Sequence, residues 1–297
     1  MRILCVGEIL WDVIGRSEHL GGAPLNFAAQ AQRLGHEVYP LSAVGDDERG
    51  HRALESITAR GISIDFVRVV PEMPTGTAEV ELDLDGKPNF RIVRPAAYDF
   101  LDLTVLDVQR IATLKPDWIY FGTLFHISGH ALASTLRLID ALPDARRFYD
   151  INLREGQWNL HTVEQLAAHA TVVKLSDSEA GCLDAELGAD DDAGSIQSFC
   201  RRWQERFHCT VVCITCGERG CAMLTNERFV EVPGFRVDVV DTVGAGDAFA
   251  AGLLHGLSQG WDVVRIGRFA NACGAVVASK PGAIPEWSVE EVQAMLR

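Results

Sequence analysis

Several common signatures are missing from this sequence, and each absence closes off a class of function. No apolar run approaches the ~20 residues needed to cross a bilayer as a helix. The opening Met1-Arg2-Ile3-Leu4-Cys5-Val6-Gly7 turns polar too soon for a secretory signal and reads as a first strand. Positive charge is scarce: 27 Lys and Arg stand against 41 Asp and Glu, for a net charge of −14. There is thus no basic stripe to displace counterions from a nucleic acid or to rest on an anionic membrane. The phosphate-binding pattern GxxxxGK[ST] does not occur, which excludes that way of holding nucleotide phosphates. Nor does GxGxxG follow the first strand, where Gly7-Glu8-Ile9-Leu10-Trp11 stands instead, so a dinucleotide-dependent oxidoreductase is excluded. Internal repeats, low-complexity tracts and long linkers are lacking too.

Cysteine is not lacking, with eight residues. Without an export signal these read as reduced thiols in a cytoplasm. Cys213-Ile-Thr-Cys216 has CxxC spacing, but Val211–Thr215 has the character of a buried strand, on which residues three apart face opposite ways. No paired histidines follow at zinc-site spacing, and the cysteines are expected to be small core residues rather than metal ligands.

What is present is an alternation of short apolar strands with helical stretches along most of the chain. Strands are expected near 2–7, 37–44, 64–70, 117–122, 146–151, 171–175, 210–215, 220–225 and 228–232. Glycine follows several expected helices, at Gly35, Gly61, Gly188 and Gly260, and Ser288-Val-Glu-Glu291 is a capping-box start. The pattern predicts an α/β fold over 1–297, with a mostly parallel central sheet flanked by helices. One segment breaks the rhythm. Thr77–Leu84 alternates polar and apolar residues, Asp85-Gly86 supplies a turn, and Asn89–Val93 returns. A small antiparallel β lid is therefore expected at about 75–95. Its exposed side offers pairing groups to a second copy, making a homodimer the expected protein partner.

The segment Asp241-Thr-Val-Gly244-Ala245-Gly246-Asp247 places two glycines just before a helix. Backbone N–H groups there can turn toward an anion, and the helix N-terminus adds positive potential. Such a site suits phosphoryl transfer, which needs an oriented nucleophile and positive field more than covalent help from the protein. Asp247, at the helix start, is the candidate base; an N-cap after a glycine turn is the plain alternative.

The run from Asp241 to Leu257 resembles the C-terminal signature of the PfkB-type (ribokinase-like) carbohydrate kinases. Gly21-Gly22-Ala-Pro-Leu-Asn26-Phe-Ala28, with Val44-Gly-Asp-Asp-Glu-Arg-Gly50, resembles their N-terminal signature, and the likeness extends over essentially the whole chain. It implies an ATP-dependent kinase for a sugar hydroxyl, with Asp247 as base and Gly244, Ala245 and Gly246 as its anion site. It further implies that Asp12, Gly22, Asn26 and Arg154 meet the sugar. Arg91 and Arg94, near the return strand of the lid, could supply the buried cation that the carboxylate of an acid sugar would need. Thr215, Gly217, Gly220 and Asn271 would meet ATP, joined by Lys174, Ser176 and Glu179. Mg²⁺ is the expected companion of ATP. K⁺ is expected beside the loop of Asp241, Val243, Lys280 and Gly282. Two positions depart from the family: Ser176 stands where an NxxE asparagine is frequent, and Val243 where a second threonine is common. Asp150-x-Asn-x-Arg154 with Trp158, and Lys174-Leu-Ser-Asp, resemble fructokinases most. A 2-keto-3-deoxygluconate kinase comes next, then a ribokinase-type kinase; a non-catalytic sugar sensor on the same fold is the alternative of another class.

Overall fold

Strand β1 (Arg2–Val6) shows how the main sheet is built. Ile3 and Cys5 belong to one packed layer and Leu4 and Val6 to the other. Side chains buried on both faces of a strand require helices on both sides of the sheet. The computed structural model describes residues 1–82, 88–187, 194–225 and 228–297. After β1 come β2 (Leu10–Ile14), β3 (Ser17–Gly21), α1 (Ala23–Arg33), β4 (Glu37–Gly45), α2 (Glu48–Ala59) and β5 (Phe66–Val70). Next are β6 (Gly76–Leu82), β7 (Pro88–Val93), α3 (Val105–Leu114), β8 (Trp118–Gly122), α4 (Gly129–Ala141), β9 (Arg146–Asp150) and α5 (Leu160–Ala167). Then follow β10 (Val172–Ser176), α6 (Asp177–Glu186), α7 (Ile196–Phe207), β11 (Val211–Thr215), β12 (Cys221–Thr225) and β13 (Phe229–Val232). The chain closes with α8 (Ala245–Ser258), α9 (Val263–Ala278) and α10 (Val289–Met295).

The described strands form a nine-stranded sheet in the order β13-β12-β11-β10-β9-β8-β1-β4-β5. Pairing is parallel from β11 to β5 and antiparallel only at the β11–β12–β13 edge. Beginning at β1 and running outward both ways makes β1 and β8 neighbours at a topological switch point, where the carboxyl ends of the strands open a crevice. On one face α1, α8 and α9 bury Phe27, Ala250 and Leu254 against Tyr120 and Phe148. Phe27 stacks on Tyr120 at 3.7 Å between ring centroids. Fully burying one such aromatic is worth about 1.5–3 kcal/mol, so this stack fixes α1 firmly beside β8.

The expected hairpin is present, with β6 and β7 antiparallel from Thr77↔Val93 to Leu82↔Pro88. Its turn at Asp85-Gly86, like the cap at Gly188, lies outside the described residues. The hairpin is not alone, however. Residues 10–21, which show no clear strand pattern, form β2 and β3, and β2 runs parallel to β6 in a four-stranded sheet β3-β2-β6-β7. Trp11 and Leu20 are the reason that reading fails: they pack into the main core layer, so the segment lacks the one-sided alternation of a free hairpin. Cys213 lies on β11 and Cys216 beyond its end, and all eight cysteines carry free thiols. Among the described residues, no helix is long and apolar enough to cross a membrane.

Candidate active site

The start of α8 has a backbone only glycine adopts easily. Gly244 has φ 79°, and a Cβ there would come within 2.2 Å of the Ala283 carbonyl. The turn therefore lies flat against the 280–283 loop, and the amides of Gly246 and Asp247 find no protein acceptor among the described residues. Unpaired N–H groups at a helix start form an anion site. Beside it opens a cleft of about 720 Å³ lined by Thr215, Gly217, Gly220, Ala245, Gly246 and Asn271. Six residues picked from the sequence thus meet in one place. Asn271 also donates at 3.1 Å to the carbonyls of Val232 and Pro233, so it braces the cleft wall. Phe235, Arg236 and Val239 also line the cleft; they sit in irregular backbone, where periodicity gives no signal.

Around the Asp247 carboxylate gathers a cluster of polar side chains. The Asp247 Oδ2 accepts from the Asn26 amide at 2.9 Å, while Asn26 Oδ1 is buried without a partner. Burial, and then the Asp150 carboxylate, push the Asp247 carboxyl up to about 7, with Asn26, Lys174 and Arg154 opposing. Asp12 lies on β2, not in a loop, and burial raises its carboxyl to about 6 against the pull of Arg154 and His19. Gly22, the N-cap of α1, has φ 105°, and a Cβ there would sit 2.4 Å from the Glu8 carbonyl. Any side chain at Gly22 would thus push α1 and Asn26 off β1.

Arg154 is oriented by Asn152, whose Oδ1 accepts from the guanidinium at 2.7 Å. Asn152 itself holds φ 44°, a conformation costing about 1–3 kcal/mol that persists only where its surroundings impose it. Glu179 is part of that imposition: one oxygen accepts from Leu153 N at 2.6 Å, the other from Ser176 N and Oγ. Ser176 and Glu179 form a capping box on α6, so they support the 150–154 loop rather than face the cleft. Both Glu179 oxygens are engaged, which fits a water-mediated role toward Mg²⁺ better than direct ligation. Lys174 Nζ is buried on Asp150 Oδ1 and Oδ2 at 3.0 and 3.1 Å, and Tyr120 OH donates to Asp150 at 3.0 Å. Removing one partner of such a buried pair typically costs about 3–5 kcal/mol.

One expectation needs correction, and two loop residues find partners of their own. Arg91 is cross-strand from Glu79 and ion-paired with it. The register puts Asp12, Ala78 and Ile92 on one row and Arg91 on the alternate face, away from Asp12. Lys280 is drawn to Glu291 at 2.6 Å and does not add charge at the anion site. The Asp241 carboxylate accepts backbone amides from Val243 and Gly282, each at 3.0 Å, so its visible work is to join the two loops. Of the Asp150-x-Asn-x-Arg154 motif only Arg154 is given a role by the sequence, Asp150 and Asn152 being left without one, and Glu8 gives no motif at all. Glu8 is 4% exposed and accepts from Ala23 N at 3.2 Å. A lone acid inside an apolar stretch at the end of the first strand was the available signal.

The description of the pfkB family carbohydrate kinases matches residues 2–289. The chain belongs to this family. A fructokinase of Solanum tuberosum is 30% identical over 296 residues, covering 96% of this chain and 88% of its own. Aminoimidazole riboside kinase of Salmonella typhimurium is 30% identical over 301 residues, covering 95% and 91%. Among solved structures, a fructokinase with bound ATP from Xylella fastidiosa superposes with a TM-score of 0.85 at 28% identity, covering 99% of this chain and 98% of that one. This pfkB kinase thus has a ribokinase-like fold, and its Asp247 and glycine turn fall within the matched region.

Proposed function

We propose that this carbohydrate kinase transfers the γ-phosphoryl of ATP to a hydroxyl of fructose, with Asp247 as the base. The observation that carries the reading is the position of Asp247. Its carboxylate accepts from Asn26 and has Arg154 and Lys174 within electrostatic reach, and the residue follows Gly246, which lines the nucleotide-sized cleft. Asp12 accepts two hydroxyl protons at once, Asn26 and Arg154 donate, and the Gly246 and Asp247 amides face the oxygens of the migrating phosphoryl. Mg²⁺, when bound with ATP, neutralises phosphate charge; Glu179 holds the loop through which the protein would meet its waters. The sheet β3-β2-β6-β7 acts as a lid, because Asp12 on β2 contacts the sugar from its inner face.

A neutral sugar is favoured over an acid one. Arg91 faces away, and the Arg94 guanidinium is matched by Asp99 at 3.2 Å and by the Leu124 carbonyl. A substrate carboxylate would therefore meet Glu8, Asp12 and Asp247, three acids that share the Arg154 guanidinium. A riboside is the second reading, supported by the similarity to aminoimidazole riboside kinase. The test is ATP consumption with fructose, 2-keto-3-deoxygluconate, ribose and aminoimidazole riboside. Fructose should give the highest kcat/KM, since a site built for particular hydroxyls rejects an analogue lacking one by large factors. A higher value for the acid sugar or the riboside would replace fructose and leave the kinase assignment intact.

A further inference from the structure

The parallel register of β9 and β10 places Lys174 directly beside Asp150. Both lie near the carboxyl ends of their strands. Burial works against the ammonium, but Asp150, Glu179 and Asp247 together raise it above its ordinary range. It is thus a fixed positive charge. An ammonium has three N–H donors, and the two Asp150 oxygens take two of them. Asp150 is its hydrogen-bond partner among the described residues. A Cβ built on Gly246 would come 3.4 Å from Nζ. Glycine at 246 therefore keeps the space between the buried ammonium and the anion site clear. Ser176, where the family often has asparagine, lies two residues farther along the same segment and is turned into the α6 cap.

We propose that Lys174 is a catalytic residue, donating its free N–H to the phosphoryl group as it crosses from ATP to the sugar. This inference rests on the kinase reading above. In that step the sugar oxygen bonds to the γ-phosphorus and the bond from that phosphorus to the β–γ bridging oxygen breaks. ADP leaves with the electron pair, and the hydroxyl proton goes to Asp247. Charge concentrates on the equatorial oxygens in transit, beside which Nζ and the Gly246 amide stand together. Asp150 and Tyr120 hold the ammonium so that no reorganisation is needed at the moment of transfer, the condition under which such a donor acts most strongly.

The test compares wild type, Lys174→Met and the double variant Lys174→Met/Asp150→Asn, all with Mg²⁺ and fructose. Single-turnover transfer is measured beside the affinities for ATP and for ADP with aluminium fluoride, which mimics the phosphoryl in transit. Loss of one donor should slow transfer by about 10²–10³-fold and weaken ADP–aluminium fluoride to a similar extent, with ATP affinity nearly unchanged. The double variant removes the buried pair without leaving a bare carboxylate, so it reports even where the single variant is unstable. It should remain as slow as the single variant. Recovery of transfer in the double variant would mean that Lys174 only neutralises Asp150, and the proposal would fall. Equal loss of ATP and ADP–aluminium fluoride binding would make Lys174 a nucleotide ligand with no special role in transfer, and would also overturn it. A wild-type protein that binds ATP but transfers to no sugar would remove the kinase reading instead, a result visible before any variant is made.

Discussion

Asp247 has to satisfy two opposed requirements. It must be buried enough to exclude water from the transfer, yet ionised enough to accept a proton. Burial and Asp150 push its carboxyl to about 7, and Asp12 is raised to about 6. Both must be charged to do what is proposed for them. As pH falls, kcat/KM should therefore drop through pH 7 and then more steeply below pH 6, where a second proton is taken up. Asp12→Asn should raise KM and leave a single-proton limb. Asp247→Asn should lower kcat by about 10²–10⁴-fold while ATP affinity holds. A carboxylate with a raised folded-state pKa makes the empty protein less stable as pH climbs from its unfolded value near 4 toward 7. Asp247→Asn removes that loss, so the variant should melt no lower than wild type at pH 8. Near-normal turnover by Asp247→Asn, measured beside its melting curve, would remove Asp247 from the role of base.

At the scale of elements, what could be read from the sequence was what repeats or what glycine imposes. The strand–helix alternation foreshadows the nine-stranded sheet because its inner strands, such as β1, β8 and β10, are buried on both faces. The turn at 244–246 and the loop at 21–22 were visible because their backbones need glycine. The buried Lys174–Asp150 pair was not, since strand register joins residues far apart in sequence. Nor were β2 and β3, whose Trp11 and Leu20 face the main core while Asp12 faces the polar cluster. That division of faces has a dynamic consequence: sugar bound at Asp12 ties the small sheet to the large one. Hydrogen exchange in peptides covering 76–82 and 88–93 should slow when fructose and a nucleotide analogue are both bound, with peptides from α4 unaffected. The same exchange with and without ligands would leave the small sheet a purely structural edge.

For the molecule as a whole, a net charge of −14 opposes the approach of ATP, whose phosphates are also negative. The cleft answers this locally, with the α8 amides and the guanidinium groups of Arg219 and Arg236, but those fields act over a few ångströms. At low ionic strength the Debye length is tens of ångströms, whereas near physiological salt it shrinks to about 8 Å. The repulsion felt during approach is therefore screened first, and the short-range attraction within the site survives. Adding salt should speed ATP association, the reverse of a binder steered by its net charge. The choice of salt then separates a second effect. We propose that K⁺, at the junction of the Asp241–Val243 and Lys280–Gly282 segments, would stiffen the turn that aims the Gly246 amide. It would do so through loop carbonyls and the Asp241 carboxylate, each of whose oxygens accepts one amide and keeps a second lone pair. Stopped-flow ATP binding and kcat measured in KCl and in tetramethylammonium chloride at equal ionic strength divide the two contributions. Association should rise alike in both salts, because screening ignores the identity of the cation. kcat should be higher in KCl alone. Association that slows with salt would show that local positive charge dominates the approach, and identical kcat in the two salts would leave the Asp241–Gly282 contact as a loop clasp without an ion.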